Sequence, residues 1–468
     1  MEPGSKVIQS HRRLSKCSAD FLEFAERNPE SKERSSFGPL VSFNDVYLQT
    51  QPWPTFINGE TRKEVEDTAI KMYELIASIP DRLFSRNLEK IAEYYGLSIE
   101  VVELMFHGIT DDHVYNILGR GDFVFDADHV LKCLEYNLNA NLGGWEVDIL
   151  ESLYVNTPVI SKFLQEYNVT LHKNQFFQVL LEFIIDRALG QFQVQNGGEV
   201  NICLVFSKFI GGELNYYTNY LQKKYTSVIQ SKYSHLNLKG SVSVCLLSQL
   251  KIIDESLYVH GKRVHVLLDL SGNKVPILLM ELVRKGSLML YNGPVGRLQG
   301  NKLNLALLSE FQDSDLFTAE ERETIRKHVP WTRKAAPGET TFKGDRIQME
   351  DLLLANREGL VLKAAVGSGG SEVIPGKCCS PQEWEVHVKK ALSLESTVYA
   401  VQEYIESPPL MYQRGKDECI PHYAAWGFFV FGSRYAGGFV RLLPVRDNKV
   451  VINSKQGAEE SMILEVEE

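Results

Sequence analysis

The stretch that most constrains this chain runs from Arg120 to Asn137, followed by Leu138 to Gly144. Apolar residues alternate on both sides of Asp126-Ala127-Asp128, a pattern that predicts a β-hairpin. Asp122 falls in its first strand, and Glu135 and Asn137, two apart in the second, face one way. A two- or four-residue loop centred between Asp128 and His129 puts Asp122 opposite Glu135, and opposite residues of an antiparallel pair share a face. Two carboxylates and an amide oxygen then crowd one patch, where like charges repel unless a cation joins them. Oxygen donors of this kind suit magnesium, which usually holds a nucleotide's phosphates as well. Taken alone, the same stretch also reads as a surface hairpin with solvated acids.

The chain of 468 residues has room for two to four domains and a substantial core. Its formal charge of −10 disfavours indiscriminate nucleic-acid binding, which needs a basic face, but leaves a local phosphate pocket open. No segment reaches the apolar length of a membrane span, and Met1 to Arg34 lacks the apolar middle of a signal peptide. The expectation is a cytoplasmic protein with no membrane and no nucleic-acid partner. Seven scattered cysteines without a C-x-x-C pair suggest reduced thiols and give no support to zinc.

The pattern of elements predicts an α/β (α+β) fold in four parts. Residues 1–110 form a charged leader, partly ordered at best up to about residue 40, then a helical region. Its buried stripe is Val65, Ala69, Met72 and Ile76. Residues 111–195 hold the hairpin and further helices. Residues 196–295 alternate short apolar strands with helices, as in a small parallel α/β layer. Residues 296–468 carry a strand Gly359 to Ala365 with Lys363 near its end, then Gly367-Ser368-Gly369-Gly370. A helix opens at the capping box Ser380-Pro381-Gln382-Glu383. Strands follow at Val398 to Ile405, Tyr423 to Phe431, Gly437 to Leu443 and Val450 to Asn453.

Gly367 to Gly370 is too short for a P-loop, and no helix follows it directly. A strand with a lysine, a glycine loop and another strand instead suit a flap over a nucleotide, its backbone N–H groups approaching phosphates. Val361-Leu362-Lys363, the glycine loop and Val401-Gln402-Glu403-Tyr404-Ile405 resemble the ATP-grasp family, whose lysine, flap and hinge enclose ATP. Arg441 and Asn453-Ser-Lys-Gln-Gly457 resemble that family's R…N-x-x-x-G stretch facing the transferred phosphoryl group. Arg120, Asp122, Glu135 and Asn137 resemble its magnesium segment. Lys302 is similar to its second phosphate lysine, although Asn301 stands where the family has Asp. The magnesium segment here precedes the hinge instead of following it. The chain therefore looks circularly permuted, similar to the glutathionylspermidine synthetase-like carboxylate–amine ligases, with residues 196–295 as a pre-ATP-grasp domain.

The resemblance implies an ATP-dependent ligase that forms an amide or peptide bond through an acyl phosphate, releasing ADP and phosphate. Asp122, Glu135 and Asn137 would hold Mg2+; Lys302, Lys363 and Gly367, Ser368, Gly369 and Gly370 would meet the ATP phosphates. Gln402, Glu403, Tyr404 and Ile405 would form the cofactor-binding hinge, with Glu403 and Tyr404 at the adenine and the role of Gln402 open, and the ribose acid stays open between Glu406 and Asp417. Arg120, Arg441 and Asn453 would act on the phosphoryl group as it moves. The expected partners are a small-molecule or peptide carboxylate and an amine, and a homodimer stays open. A kinase-type phosphotransferase and a non-catalytic nucleotide-binding module are the alternatives.

Overall fold

The computed structural model describes residues 3–32, 50–106, 117–138, 142–145, 147–173, 175–207, 213–271, 276–291, 293–367, 372–393, 397–414, 418–445 and 451–468. Nine strands position the cleft described below. They are β1 (Thr55–Ile57), β2 (Leu118–Phe125), β3 (Leu131–Asn137), β4 (Leu360–Ala364), β5 (Val373–Pro375), β6 (Tyr399–Glu403), β7 (Glu418–Phe431), β8 (Tyr435–Pro444) and β9 (Glu459–Val466). The fold is mixed α/β. A central sheet runs β1-β9-β8-β7-β2-β3, with Leu410–Arg414 paired to β7 and Leu171–His172 to β9. Its pairs are antiparallel except for β1 and β9, which run parallel, with Thr55 beside Ile463.

A second sheet is wholly parallel, as the alternating pattern predicts, in the order Met289–Tyr291, Val266–Asp269, Glu199–Phe206, Lys239–Leu246. The third is antiparallel and joins Thr332–Lys334, β6, β4 and β5. Two small antiparallel sheets, Lys251–Val264 and Glu339–Gln348, complete the set, and the sequence pattern had not marked them. Among the described residues no helix is long and apolar enough to cross a membrane.

Helices cover the central sheet. Gly59–Ala77 buries Val65, Ala69, Met72 and Ile76 as their spacing predicts, and Asn58 caps it by accepting from Thr61 N–H. The capping boxes at Ser380 and at Thr318 are both formed, the latter opening the helix Ala319–His328.

Two expectations are corrected. The leader is not loose over residues 3–32: Pro3–Leu14 and Lys16–Arg27 are helices, followed by a 3-10 turn at Pro29–Lys32. Their charged character is one face of an amphipathic pair. The other face buries Leu14, Cys17, Phe21 and Phe24 in the same core as β1, β7 and β9. Phe21 packs edge-on against Trp53 and Phe163, with ring centroids 5.6 and 5.1 Å apart. Residues 33–49 lie outside the described residues.

The other correction concerns Val450 to Asn453, of which Val450 lies outside the described residues. Residues 451–453 are irregular and lead into the 3-10 turn Ser454–Gln456, and the strand is β9. Seven of the eight β9 positions are buried, so its two-sided burial left no alternation to read. Truncating Phe21 to Ala is expected to destabilise the whole chain by about 3–5 kcal/mol, the scale of a buried Phe loss. Chemical denaturation should show this as one shifted transition; a small change confined to residues 3–32 would contradict the packing described.

Candidate functional site

The hairpin β2–β3 places Asp122 opposite Glu135, the pairing expected, and Arg120 opposite Asn137, but it reaches that register by another route. Its loop is odd, because Phe125 pairs with Leu131, and a bulge between Asp122 and Phe123 absorbs Leu134 to restore the match. Asp126 shapes the turn by accepting from Asp128 and Val130 N–H at 3.0 and 2.8 Å. The bulge also frees the Leu134 carbonyl from the ladder, and Lys363 Nζ donates to it at 3.0 Å. That bond crosses from the third sheet to the central one and closes the floor of a cleft.

Cross-strand register puts the remaining groups on the same face. Gly427 of β7 stands beside Asp122 and opposite Phe439 of β8, and Arg441 stands two residues further along β8. Gly427 is the opening in this face: a Cβ there would lie 2.9 Å from the Phe439 ring and 3.1 Å from Arg120 Cδ. With only hydrogen at that point, the Arg120 side chain lies across the sheet. Arg120 gives Asp122 a two-pronged ion pair at 2.8 and 2.9 Å, and Arg441 NH2 reaches Asp122 Oδ1 at 3.0 Å. Phe439 offers its ring to both guanidiniums, at 5.5 and 5.8 Å. Burial works to raise the Asp122 carboxyl, but the two guanidiniums win and hold it well below the usual carboxylate range.

The cleft between the two sheets encloses about 1100 Å³ including its open mouth. Of the residues singled out in the sequence, Asp122, Glu135, Lys302, Lys363, Gly367, Gln402, Glu403, Tyr404, Ile405, Arg441 and Asn453 line it. Arg120 and Asn137 stand directly behind, Asn137 Nδ2 donating to Asp122 Oδ2 at 3.3 Å and to Glu135 Oε1 at 3.2 Å. Ser368, Gly369, Gly370 and Asp417 lie outside the described residues, and Glu406 is exposed beyond the hinge.

Lys302 Nζ pairs with Glu135 Oε2 at 3.4 Å and donates to the Gly367 carbonyl at 3.2 Å, tying the start of the helix Leu303–Glu310 to the base of the flap. The Asn301 before it accepts from Leu303 N–H at 2.9 Å, a capping role for which an amide serves as well as a carboxylate. Gln402, whose role the sequence left open, is spent at both ends: it accepts from Lys363 at 2.6 Å and donates to Thr332 Oγ1 at 3.1 Å. It therefore fixes the lysine. Glu403 and Tyr404 N–H groups are bonded to the Trp331 and Gly359 carbonyls, at 2.8 Å each, so the hinge is anchored on both sides. The Tyr404 ring lies under Lys377 Nζ, 3.9 Å from its centroid. Val361, Val373, Pro375 and Ile405 make the neighbouring wall apolar, a slot suited to a flat ring.

Sequence reasoning missed Leu134, Thr332, Glu372, Ser407, Gly427 and Glu460. Gly427 alone carried a readable signal, a glycine inside a strand pattern marking close approach. Among the described residues no three His, Cys, Asp or Glu side chains are grouped to hold a metal ion. Two carboxylates and an amide suit magnesium nonetheless, because that ion usually takes one or two carboxylates and completes its shell with phosphates and water. The fit requires Arg120 and Arg441 to leave Asp122 and the Asn137 amide to turn its oxygen inward. No protein-family model and no curated protein matches the sequence.

Four cationic side chains, Arg120, Lys302, Lys363 and Arg441, thus gather around the Asp122 and Glu135 pair, while Glu372 and Glu403 line other parts of the cleft. Burial pushes the Lys363 ammonium down to about 8, with Lys302 adding repulsion and Glu135 pulling the other way. Below that pH Lys363 is charged and attracts phosphates; above it the charge is lost. Equilibrium binding of a nucleoside triphosphate is expected to weaken as pH rises past about 8, by at most about tenfold per pH unit. Lys363→Met should flatten that limb; the same limb in the variant would assign it to another group.

Proposed function

We propose that the chain is an ATP-dependent carboxylate–amine ligase of circularly permuted ATP-grasp architecture. The observation that carries this reading is the cleft itself. A lysine from each of two elements, Lys302 and Lys363, and the Asp122–Arg441 face meet beside an anchored hinge with an apolar slot. The permuted order is supported by β1 and β9 lying side by side. It is supported also by the hairpin β2–β3 being seated directly on β7, which follows the hinge.

In this reading the base lies between Tyr404, Ile405 and Val361, and the phosphates run toward Lys363 and Lys302. The barrier is mainly electrostatic, because a carboxylate must approach a negatively charged phosphoryl group. Magnesium, when bound, would supply positive charge that offsets the phosphates. Asp122, Glu135 and Asn137 would hold it, while Arg120 and Arg441 turn to the moving phosphoryl oxygens and Asn453 adds a neutral contact. A carboxylate oxygen of the substrate attacks the terminal phosphorus and ADP leaves. The amine nitrogen then attacks the acyl carbon, phosphate departs and the amine gives up one proton to solvent. The residues around Gly367 would exclude water from the acyl phosphate.

Mg-ATP turnover against pooled carboxylates and amines tests the proposal. ADP and phosphate should form in equal amounts with an amide, only when both substrates are present. Glu135→Gln should lower that rate by about 10²–10³, the scale of losing one electrostatic group. AMP and pyrophosphate, or a stable phosphorylated product without an amine requirement, would overturn the mechanism.

A further inference from the structure

Glu460 is a third carboxylate on the sheet face that carries Asp122 and Arg441, and the proposed reaction leaves it unused. It is 6% exposed and stands directly opposite Arg441 in the β8–β9 ladder, so both side chains project from one face. Its Oε1 accepts from Ser454 Oγ at 2.6 Å, and the residue before Ser454 is Asn453 of the cleft wall. The ion pair that Arg441 makes is with Asp122, at 3.0 Å, and its buried Nε has no hydrogen-bond partner among the described residues.

Asp122 cannot serve both guanidiniums and a divalent cation. Its Oδ1 already takes Arg120 Nε and Arg441 NH2, and its Oδ2 takes Arg120 NH2 and Asn137 Nδ2. When that carboxylate turns to a metal, Arg441 is left buried beside a new dication without a counter-charge until the phosphoryl group moves toward it. A buried charge stripped of its partner is strongly destabilising. Glu460 is the carboxylate placed to prevent this, and the unpartnered Nε of Arg441 gives the guanidinium a free donor for it.

Resting on the nucleotide–magnesium reading of the cleft, we propose that Glu460 is a positioning residue that takes over Arg441 when Asp122 turns to the metal. The exchange keeps the charge of the buried face balanced: one carboxylate goes to the cation and another takes its place. Magnesium then binds well only when nucleotide phosphates draw Arg120 away at the same time, which makes the two ligands mutually dependent. Ser454 holds Glu460 ready.

The test is equilibrium binding of a non-hydrolysable ATP analogue to the full chain, in chelator and across a magnesium titration. Glu460→Gln keeps the shape and an acceptor for Ser454 but removes the charge. Its metal-free nucleotide affinity should stay within about twofold of the parent, while the magnesium needed for half of the metal-dependent tightening rises about tenfold. Thermal unfolding checks that the variant is folded. Unchanged magnesium dependence, or an equal loss with and without metal, would overturn the assignment, the second because it marks a purely structural role. Glu460→Asp retains the charge and should keep the parent's magnesium dependence to within about threefold; a loss as large as that of Gln would also overturn it. If the parent chain binds the analogue with no response to magnesium, the underlying reading of the cleft falls, and this inference with it.

Discussion

Asp122 lies under two guanidiniums on a buried sheet face, and much of the site's geometry follows from keeping that cluster satisfied. Removing a charge pair from water is expensive, and the pair's own attraction repays the loss only when the geometry is good and the remaining donors find acceptors. Here the two-pronged contact of Arg120 is completed by its NH1 donating to the Gly143 carbonyl at 2.8 Å, with Phe439 supporting the guanidinium plane. The long side chain crosses β7 only because residue 427 is glycine. Each of these requirements is met by a different strand or loop, so the cluster fixes the register of β2 on β7 and of β7 on β8. A slip of one residue in either ladder would turn one partner to the opposite face.

The same dependence explains what could be read from the chain. The hairpin, the lysine strand, the strand that ends in Glu403 and the capping box at Ser380 are local patterns, each written within a few residues, and the structure has each of those elements. Gln402 could be seen but not interpreted, because its function depends on Thr332, its partner in the neighbouring strand. Glu460 could not be seen, since nothing near it distinguishes an acid in β9 from an acid on a surface. Only the register that sets it against Arg441 gives it meaning. The odd hairpin loop and the bulge at Leu134 compensate each other, so simple counting along the strands arrived at the right pair through the wrong turn. The helices Pro3–Leu14 and Lys16–Arg27 were misread because their polar faces dominate the composition, while their apolar faces are covered by Trp53, Phe56 and Phe163 from later in the chain.

Segments far apart in sequence converge on the central sheet for a physical reason. Glu468 accepts from the N–H groups of Lys16 and Cys17 at 3.1 and 2.6 Å, so it serves as an anionic cap on the helix Lys16–Arg27. Thr55 Oγ1 meets Ser461 Oγ at 3.2 Å, and Ser461 Oγ donates to the Trp53 carbonyl at 2.8 Å. These bonds lock β1 onto β9. Because β9 also carries Glu460, the packing of the early helices bears on the face where Arg441 sits, although none of their residues lines the cleft.

The charge arrangement bears on selectivity as well as on stability. Within the cleft each of these cations is already partnered: Lys302 with Glu135, Lys363 with Gln402 and the Leu134 carbonyl, Arg120 and Arg441 with Asp122. A monoanion entering the cleft must compete with these internal partners and gains little by displacing any one of them. A dication alone must displace two guanidiniums and then sit beside them. On the proposed reading a triphosphate that arrives with its metal would satisfy both sides at once, its phosphates taking Arg120, Glu460 taking Arg441 and the metal taking Asp122 and Glu135. So read, the cleft would discriminate by requiring the two ligands together.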